Sequence, residues 1–289
     1  MHHRRPGGGA QSLSAWVPSH ITGFFAARRE EDPKRSGSIG CGLCLALGAT
    51  TFVQEAVGET EILLNGQVSE APVSRFVAEK MASRPVRIVT QLDMPLDSGF
   101  GASGAGALGA AYALNAFFDL GLTSSEAATI AHVAEVINRT GLGDVIAQNT
   151  GGLVIRLEPG APSFGRVDRI PVSPLQVDYV VRGPLSTRAV LSDAKVMKAV
   201  NSAGEAALKQ ILKRPTLKEF MVLSRRFTEQ SGLAGDWALD AMEAVQAAGG
   251  MASMIMLGDA VFAFGGGQAL REFGEVGTSL VSQRSANLD

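Results

Sequence analysis

Residues 95–109 read Pro-Leu-Asp-Ser-Gly-Phe-Gly-Ala-Ser-Gly-Ala-Gly-Ala-Leu-Gly, a glycine-rich stretch between two segments of opposite character. Before it lies Val86-Arg-Ile-Val-Thr-Gln-Leu92, a short β-branched run that predicts a strand. After it, residues 105–120 are rich in Ala and Leu without proline and predict a helix. A strand entering a helix through a glycine loop points backbone N–H groups and the positive end of a helix dipole at one place. Gly99, Gly101, Gly104 and Gly106 lack the Cβ atoms that keep a ligand off the backbone. Ser103 adds a hydroxyl suited to phosphate or a metal ion. Polyphosphate binding and plain close packing both fit this stretch alone. The P-loop pattern Gly-x4-Gly-Lys-Ser/Thr is missing, and so are the Rossmann spacing and its acidic partner.

At 289 residues the chain suffices for one large or two ordinary domains. With 46% hydrophobic and 19% charged residues it has the makings of a packed core. A net charge of −2 argues against general nucleic-acid affinity, and no apolar run reaches membrane-spanning length. Residues 1–12 are basic and glycine-rich without an apolar region behind them, so they read as a disordered extension rather than a signal peptide. Cys41 and Cys44 form a single Cys-x-x-Cys inside an apolar run, which favours buried thiols over a metal or redox site. Free thiols and no targeting segment suggest the cytoplasm.

Along the chain, apolar runs occupy 39–47 and 50–57, and Asn65-Gly66 marks a hairpin within 61–68. Helices are expected over 72–83, from the capping box Thr123-Ser-Ser-Glu126, over 192–213, from the capping box Thr216-Leu-Lys-Glu219, and over 234–248. Strands are expected over 251–257 and 261–264, then a short helix and a polar tail. Composition shifts near Pro162, where a domain boundary is placed.

Several polar residues stand out. His20 and Thr22 supply a donor and an acceptor at a strand start. Glu135 falls on the helix opened by Thr123, where a solvated face is the ordinary reading. Asp144 lies between glycines before a helical turn, as an N-cap or as a general base. Arg156 sits in a strand, either as the polar side of an alternation or as a guanidinium for a substrate carboxylate.

Four separated stretches, in order, resemble the GHMP kinase superfamily. Pro95-x3-Gly99-Phe100-Gly101-Ala102-Ser103-Gly104-Ala105 is similar to its second motif, Pro-x3-Gly-Leu-Gly-Ser-Ser-Ala. Within the superfamily the chain looks most like the archaeal pantoate kinases. This rests on the Gly-Phe-Gly-Ala-Ser-Gly-Ala-Gly loop, Pro18-Ser-His-Ile-Thr-Gly-Phe-Phe25, Gly151-Gly-Leu-Val-Ile-Arg156 and Ser253-Met-Ile-Met-Leu-Gly258. Asp144-x6-Gly151-Gly152 matches the segment in which other members carry the base. Ser19 stands where the branch has glycine, and the Met-rich stretch replaces the superfamily's late glycine loop.

The resemblance implies an α+β, two-domain fold. An ATP-binding domain over 13–162 would be like ribosomal protein S5 domain 2, and a ferredoxin-like domain would cover 163–289, with the site between them. It implies ATP and Mg²⁺ as cofactors, with Gly99 to Gly106 around the triphosphate. Ser103 and Glu135 would bind the metal, Asp144 would act as base, and His20, Thr22 and Arg156 would bind substrate. The expected partner is the small molecule pantoate, phosphorylated on its 4-hydroxyl for coenzyme A synthesis, with homoserine, mevalonate or a non-catalytic binding role as alternatives. Homodimers are common on such folds, but no residue here argues for one.

Overall fold

Two long antiparallel strands form the backbone of the molecule in a computed structural model that describes residues 13–183 and 193–289. The expected N-terminal extension and residues 184–192, the last of them the expected start of the helix over 192–213, lie outside the described residues. β1 spans Ser14–Arg28 and β2 spans Gly37–Glu55. The apolar runs at 39–47 and 50–57 are thus one continuous strand. Its register against β1 shifts between Pro18 and Ser19 and between Thr22 and Phe24. A proline cannot donate to a ladder, so an irregularity is where a long strand accommodates one.

β5 (Val86–Leu92) pairs with β2 and, in parallel, with β3 (Glu61–Leu64). β3 turns into β4 (Gln67–Val68) through Asn65 (φ 48°) and Gly66 (φ 80°), the positive values the Asn-Gly pair predicts. β6 (Leu153–Glu158) pairs with β2 and with β7 (Arg166–Ile170). The Pro159–Pro162 stretch, where composition shifts, therefore joins two strands of one sheet. Two C-terminal strands, β11 (Val276–Leu280) and β12 (Asn287–Leu288), correct the expected polar tail. Val276-Gly-Thr-Ser-Leu280 and Asn287-Leu288 are too short and too polar to register as strands. β12 pairs with β1 and completes the eight-stranded first sheet.

Three helices cover this sheet. α1 is Pro72–Met81, α2 is Ala102–Phe117 and α3 is Ser124–Asn138, the last opened by the predicted capping box of Thr123 and Glu126. α2 starts three residues earlier than its Ala/Leu content suggests, because Gly101 takes the left-handed N-cap position. It is buried on nearly all sides from Gly104 to Leu114, which accounts for its small residues. A Cβ on Gly109 would stand 2.5 Å from Thr51 Oγ1. A short α4 spans Asp144–Gln148.

The second sheet has the order β11-β8-β10-β9, all antiparallel, with β8 at Gln176–Gly183, β9 at Met251–Met254 and β10 at Asp259–Phe264. Helices α5 (Ala194–Ile211), α6 (Leu217–Ser231) and α7 (Asp236–Ala247) complete this half. Asp193 caps α5 and Thr216 caps α6 through their side chains. The two halves share one apolar core, in which Phe24, Phe220 and Phe262 form a row with ring centroids 6.3 Å apart at each step. Sheets dominated by antiparallel pairing, with helices gathered on their faces, make the fold α+β as expected. Among the described residues no helix is long and apolar enough to cross a membrane.

Candidate active site

The glycine loop ends where α2 begins. Gly99 and Gly101 have φ of 82° and 68°, and α2 has neither a side-chain cap nor an acidic residue in its first turn. Its first N–H groups are thus left for a ligand. The loop is held from three sides. His20 N donates to Phe100 O at 3.0 Å, and Gln148 Nε2 donates to Gly101 O at 2.9 Å. On the third side it lies backbone to backbone against the turn after β9: a Cβ on Gly258 would stand 2.0 Å from Ser98 O. The buried Phe100 ring anchors the loop by an edge contact with Tyr179, centroids 5.0 Å apart.

Gly99, Phe100, Gly101, Ala102, Ser103 and Gly106 line a cleft of about 980 Å³ between the two halves. Gly104 and Ala105 lie behind that wall. Of the residues singled out from sequence, Thr22, Asp144 and Arg156 also line it. His20 and Glu135 sit beneath it, 0% and 2% exposed.

His20 joins the other two. Its Nδ1 is 2.8 Å from Asp144 Oδ1, and its Nε2 is 3.4 Å from Arg156 Nη1. A guanidinium only donates, so Nε2 accepts and Nδ1 carries the proton that it donates to Asp144. Burial agrees with this neutral form: it lowers the His20 pKa against the raising influence of Asp144. For Asp144, burial pushes the carboxyl up, but the His20 hydrogen bond and the charge of Arg156 outweigh it and hold the carboxyl below its ordinary range. Arg156 is 1% exposed, and its Nε has no hydrogen-bond partner. A buried guanidinium with an open N–H is an anion site in waiting. Gly143 makes room for it, since a Cβ there would stand 2.7 Å from Arg156 Nε and 2.4 Å from Ser38 Oγ.

Glu135 has different company. Its Oε1 accepts from Ser103 Oγ and from Thr140 Oγ1, both at 2.7 Å. Burial, and then the charge of Asp144, push its pKa up to about 7. The point that a Gly141 Cβ would occupy is 2.0 Å from Glu135 Oε2 and 3.1 Å from Asp144 Oδ2, so the missing side chain leaves space where two carboxylates converge. Oxygen donors short of positive charge, beside an uncapped helix N-terminus, fit Mg²⁺, which takes few protein ligands and completes its shell with phosphate and water. Among the described residues no cluster of three or more His, Cys, Asp or Glu offers a self-contained metal site. Cys41 and Cys44 are buried free thiols, each pushed up to about 12 chiefly by burial, and so inert.

Sequence reasoning missed Ser38 and Gln148, which meet Gly143 and Gly101 far along the chain, and Thr140, which reaches the nearby Glu135 only through the left-handed turn at Arg139. It also missed a backbone signal: Ala71, Asp97, Arg139 and Leu257 all have positive φ and all line the cleft. Non-glycine residues in that region gather at functional sites.

The family model for the GHMP kinases N terminal domain matches residues 68–152, the span that carries the loop, Ser103, Glu135 and Asp144. Fold and cleft together define a GHMP-type, ATP-dependent small-molecule kinase. The chain is 39% identical over 263 residues to a pantoate kinase of Thermococcus kodakarensis, covering 87% of each. It is 32% identical over 277 residues to a pantoate kinase of Methanospirillum hungatei, covering 91% of this chain and 92% of that one. A solved structure described as a phosphotransferase related to the CoA biosynthesis pathway superposes with a TM-score of 0.87 at 32% identity, over 96% of this chain and 98% of the other. The chain belongs to the pantoate kinase family within the GHMP kinases.

Proposed function

We propose that the protein transfers the γ-phosphoryl group of ATP to the 4-hydroxyl of pantoate, giving 4-phosphopantoate for coenzyme A synthesis. One observation carries the choice of substrate within the cleft. A general-base candidate and a buried guanidinium with an open N–H are held at fixed distance by one imidazole. Such a pair suits a small hydroxy acid, whose carboxylate meets Arg156 while its hydroxyl meets Asp144.

In this reading the triphosphate lies on the N-terminus of α2, and Ser103 and Glu135 hold Mg²⁺, which offsets charge on the phosphates. Asp144, kept ionised by His20 and Arg156, takes the hydroxyl proton as the substrate oxygen bonds to the γ-phosphorus. The bond from that phosphorus to the β,γ-bridging oxygen breaks, and ADP leaves with its electron pair. Catalysis is then mainly positioning and charge stabilisation. Thr22 and Ser38 add hydroxyls at the substrate end. His20 positions the base rather than touching substrate, because its side chain is enclosed.

The test is ADP release with ATP and Mg²⁺, comparing pantoate, homoserine and mevalonate. Turnover confined to pantoate supports the proposal. Turnover with another alcohol keeps the site and replaces the substrate, and none with any of the three, in folded protein, points to a binding role.

A further inference from the structure

The charged side chains on the cleft wall are Glu70, Asp97, Arg139, Asp144 and Arg156. Three are acidic, yet the proposed guest is a polyanion. Arg156 is enclosed beside Asp144 and His20, at the substrate end. That leaves Arg139 as the exposed cation among the described residues of the wall. No hydrogen bond or ion pair joins its side chain to another described residue.

Arg139 also occupies an unusual backbone position. It caps the C-terminus of α3 with φ 58° and ψ 38°, where glycine is the common occupant. The turn it makes is needed locally. It brings Thr140 N to Glu135 O at 3.1 Å and Thr140 Oγ1 to Glu135 Oε1. A glycine would make that turn more easily. The turn therefore explains the conformation but not the arginine. What the arginine adds is an exposed guanidinium on the cleft wall that also carries Thr140, Ser103 and the open start of α2. A guanidinium there suits bidentate contact with phosphate oxygens.

We infer that Arg139 is a phosphate-binding residue, closing over the triphosphate of ATP from the α3 side of the cleft. The inference rests on reading the cleft as an ATP site, and it adds a residue that the motifs do not mark. Its test is calorimetric titration of ATP with Mg²⁺ into the full-length protein and its Arg139→Gly, Arg139→Ala and Arg139→Lys variants. The expected result is a Kd for ATP raised about 10-fold in the glycine and alanine variants and partly restored in the lysine variant, as a charge-assisted contact requires. The Kd for pantoate should stay unchanged. Melting temperature separates the alternatives: Arg139→Gly should melt at or above the wild type, so a loss of ATP affinity in that variant cannot come from a damaged fold. Unchanged ATP affinity in Arg139→Gly overturns the inference, even if wild-type turnover of pantoate stands. Conversely, wild-type protein that binds ATP but leaves pantoate untouched refutes the substrate proposal, while the titrations still decide on Arg139.

Discussion

Two carboxylates meet at Gly141, and their surroundings drive them in opposite directions. Asp144 has an imidazole N–H and a guanidinium on its side and stays ionised below the ordinary carboxylate range. Glu135 has only hydroxyl donors and the like charge of Asp144, and it is raised to about 7. Neighbouring acids pushed apart in this way mark a division of labour. The first is equipped to receive a proton from substrate at neutral pH. The second lacks a counter-charge, which the proposed Mg²⁺ would supply.

The sharpest way to break this contrast is at the base. Asp144→Asn should lower kcat by about 10²–10⁴-fold with ATP affinity retained, read by ADP release and ATP titration. Full turnover in a folded variant would remove Asp144 from the chemistry. Arg156→Gln should raise the KM for pantoate on the order of 10–100-fold, as losing a charge-assisted contact does, and should leave the KM for ATP alone. If both constants moved together, Arg156 would be a structural residue. His20→Asn retains a donor but shortens it, and the misplaced base should cut kcat by about 10-fold. A variant that raised only the pantoate KM would return His20 to the role of substrate ligand.

The smallest effect lies on the Glu135 side and appears in stability. Its pKa in the folded protein is above that of an unfolded chain, so the native state binds the extra proton. Stability from this group is present below about pH 4.5 and is lost as pH rises toward about 7. The shift corresponds to an effect on the order of 3 kcal/mol at most. Melting scans in chelator should therefore show a decline across that window which Glu135→Gln flattens. Mg²⁺ with ATP should restore wild-type stability at pH 8. An unchanged slope in Glu135→Gln would show that other groups set the pH dependence.

What was readable in the chain follows the range of each interaction. The strand, loop and helix around Ser103 are local, and 7 residues of β5 and the capping box of Thr123 come out as spacing predicts. Asp144 stood out because glycines flank it. The enclosure of His20 was not legible, because its partner lies 124 positions away and burial depends on everything packed between. Thr140 looked like an ordinary polar residue until the left-handed turn at Arg139 brought it to Glu135. In the sequence, Gly141 and Gly143 show only as the glycines before Asp144. Their tertiary role is to leave space for the carboxyl of Glu135 and the guanidinium of Arg156.

The pairing of β12 with β1 bears on how the protein is made. Trp16 lies opposite Asn287, and Cys44 N, Gly152 N and Ser282 N donate in turn to Gly152 O, Ser282 O and Cys44 O. The strand that carries His20 is therefore flanked by residues synthesised some 270 positions later, as the register of Ala15 with Leu288 records. Pairings across such separations form slowly, because loop closure must precede them. A nascent chain emerging from the ribosome holds β1 and β2 long before it can seal that edge. The interval leaves an apolar strand open to chaperones and to misassociation, so the yield of active enzyme in a cell should depend on how quickly translation runs to its end.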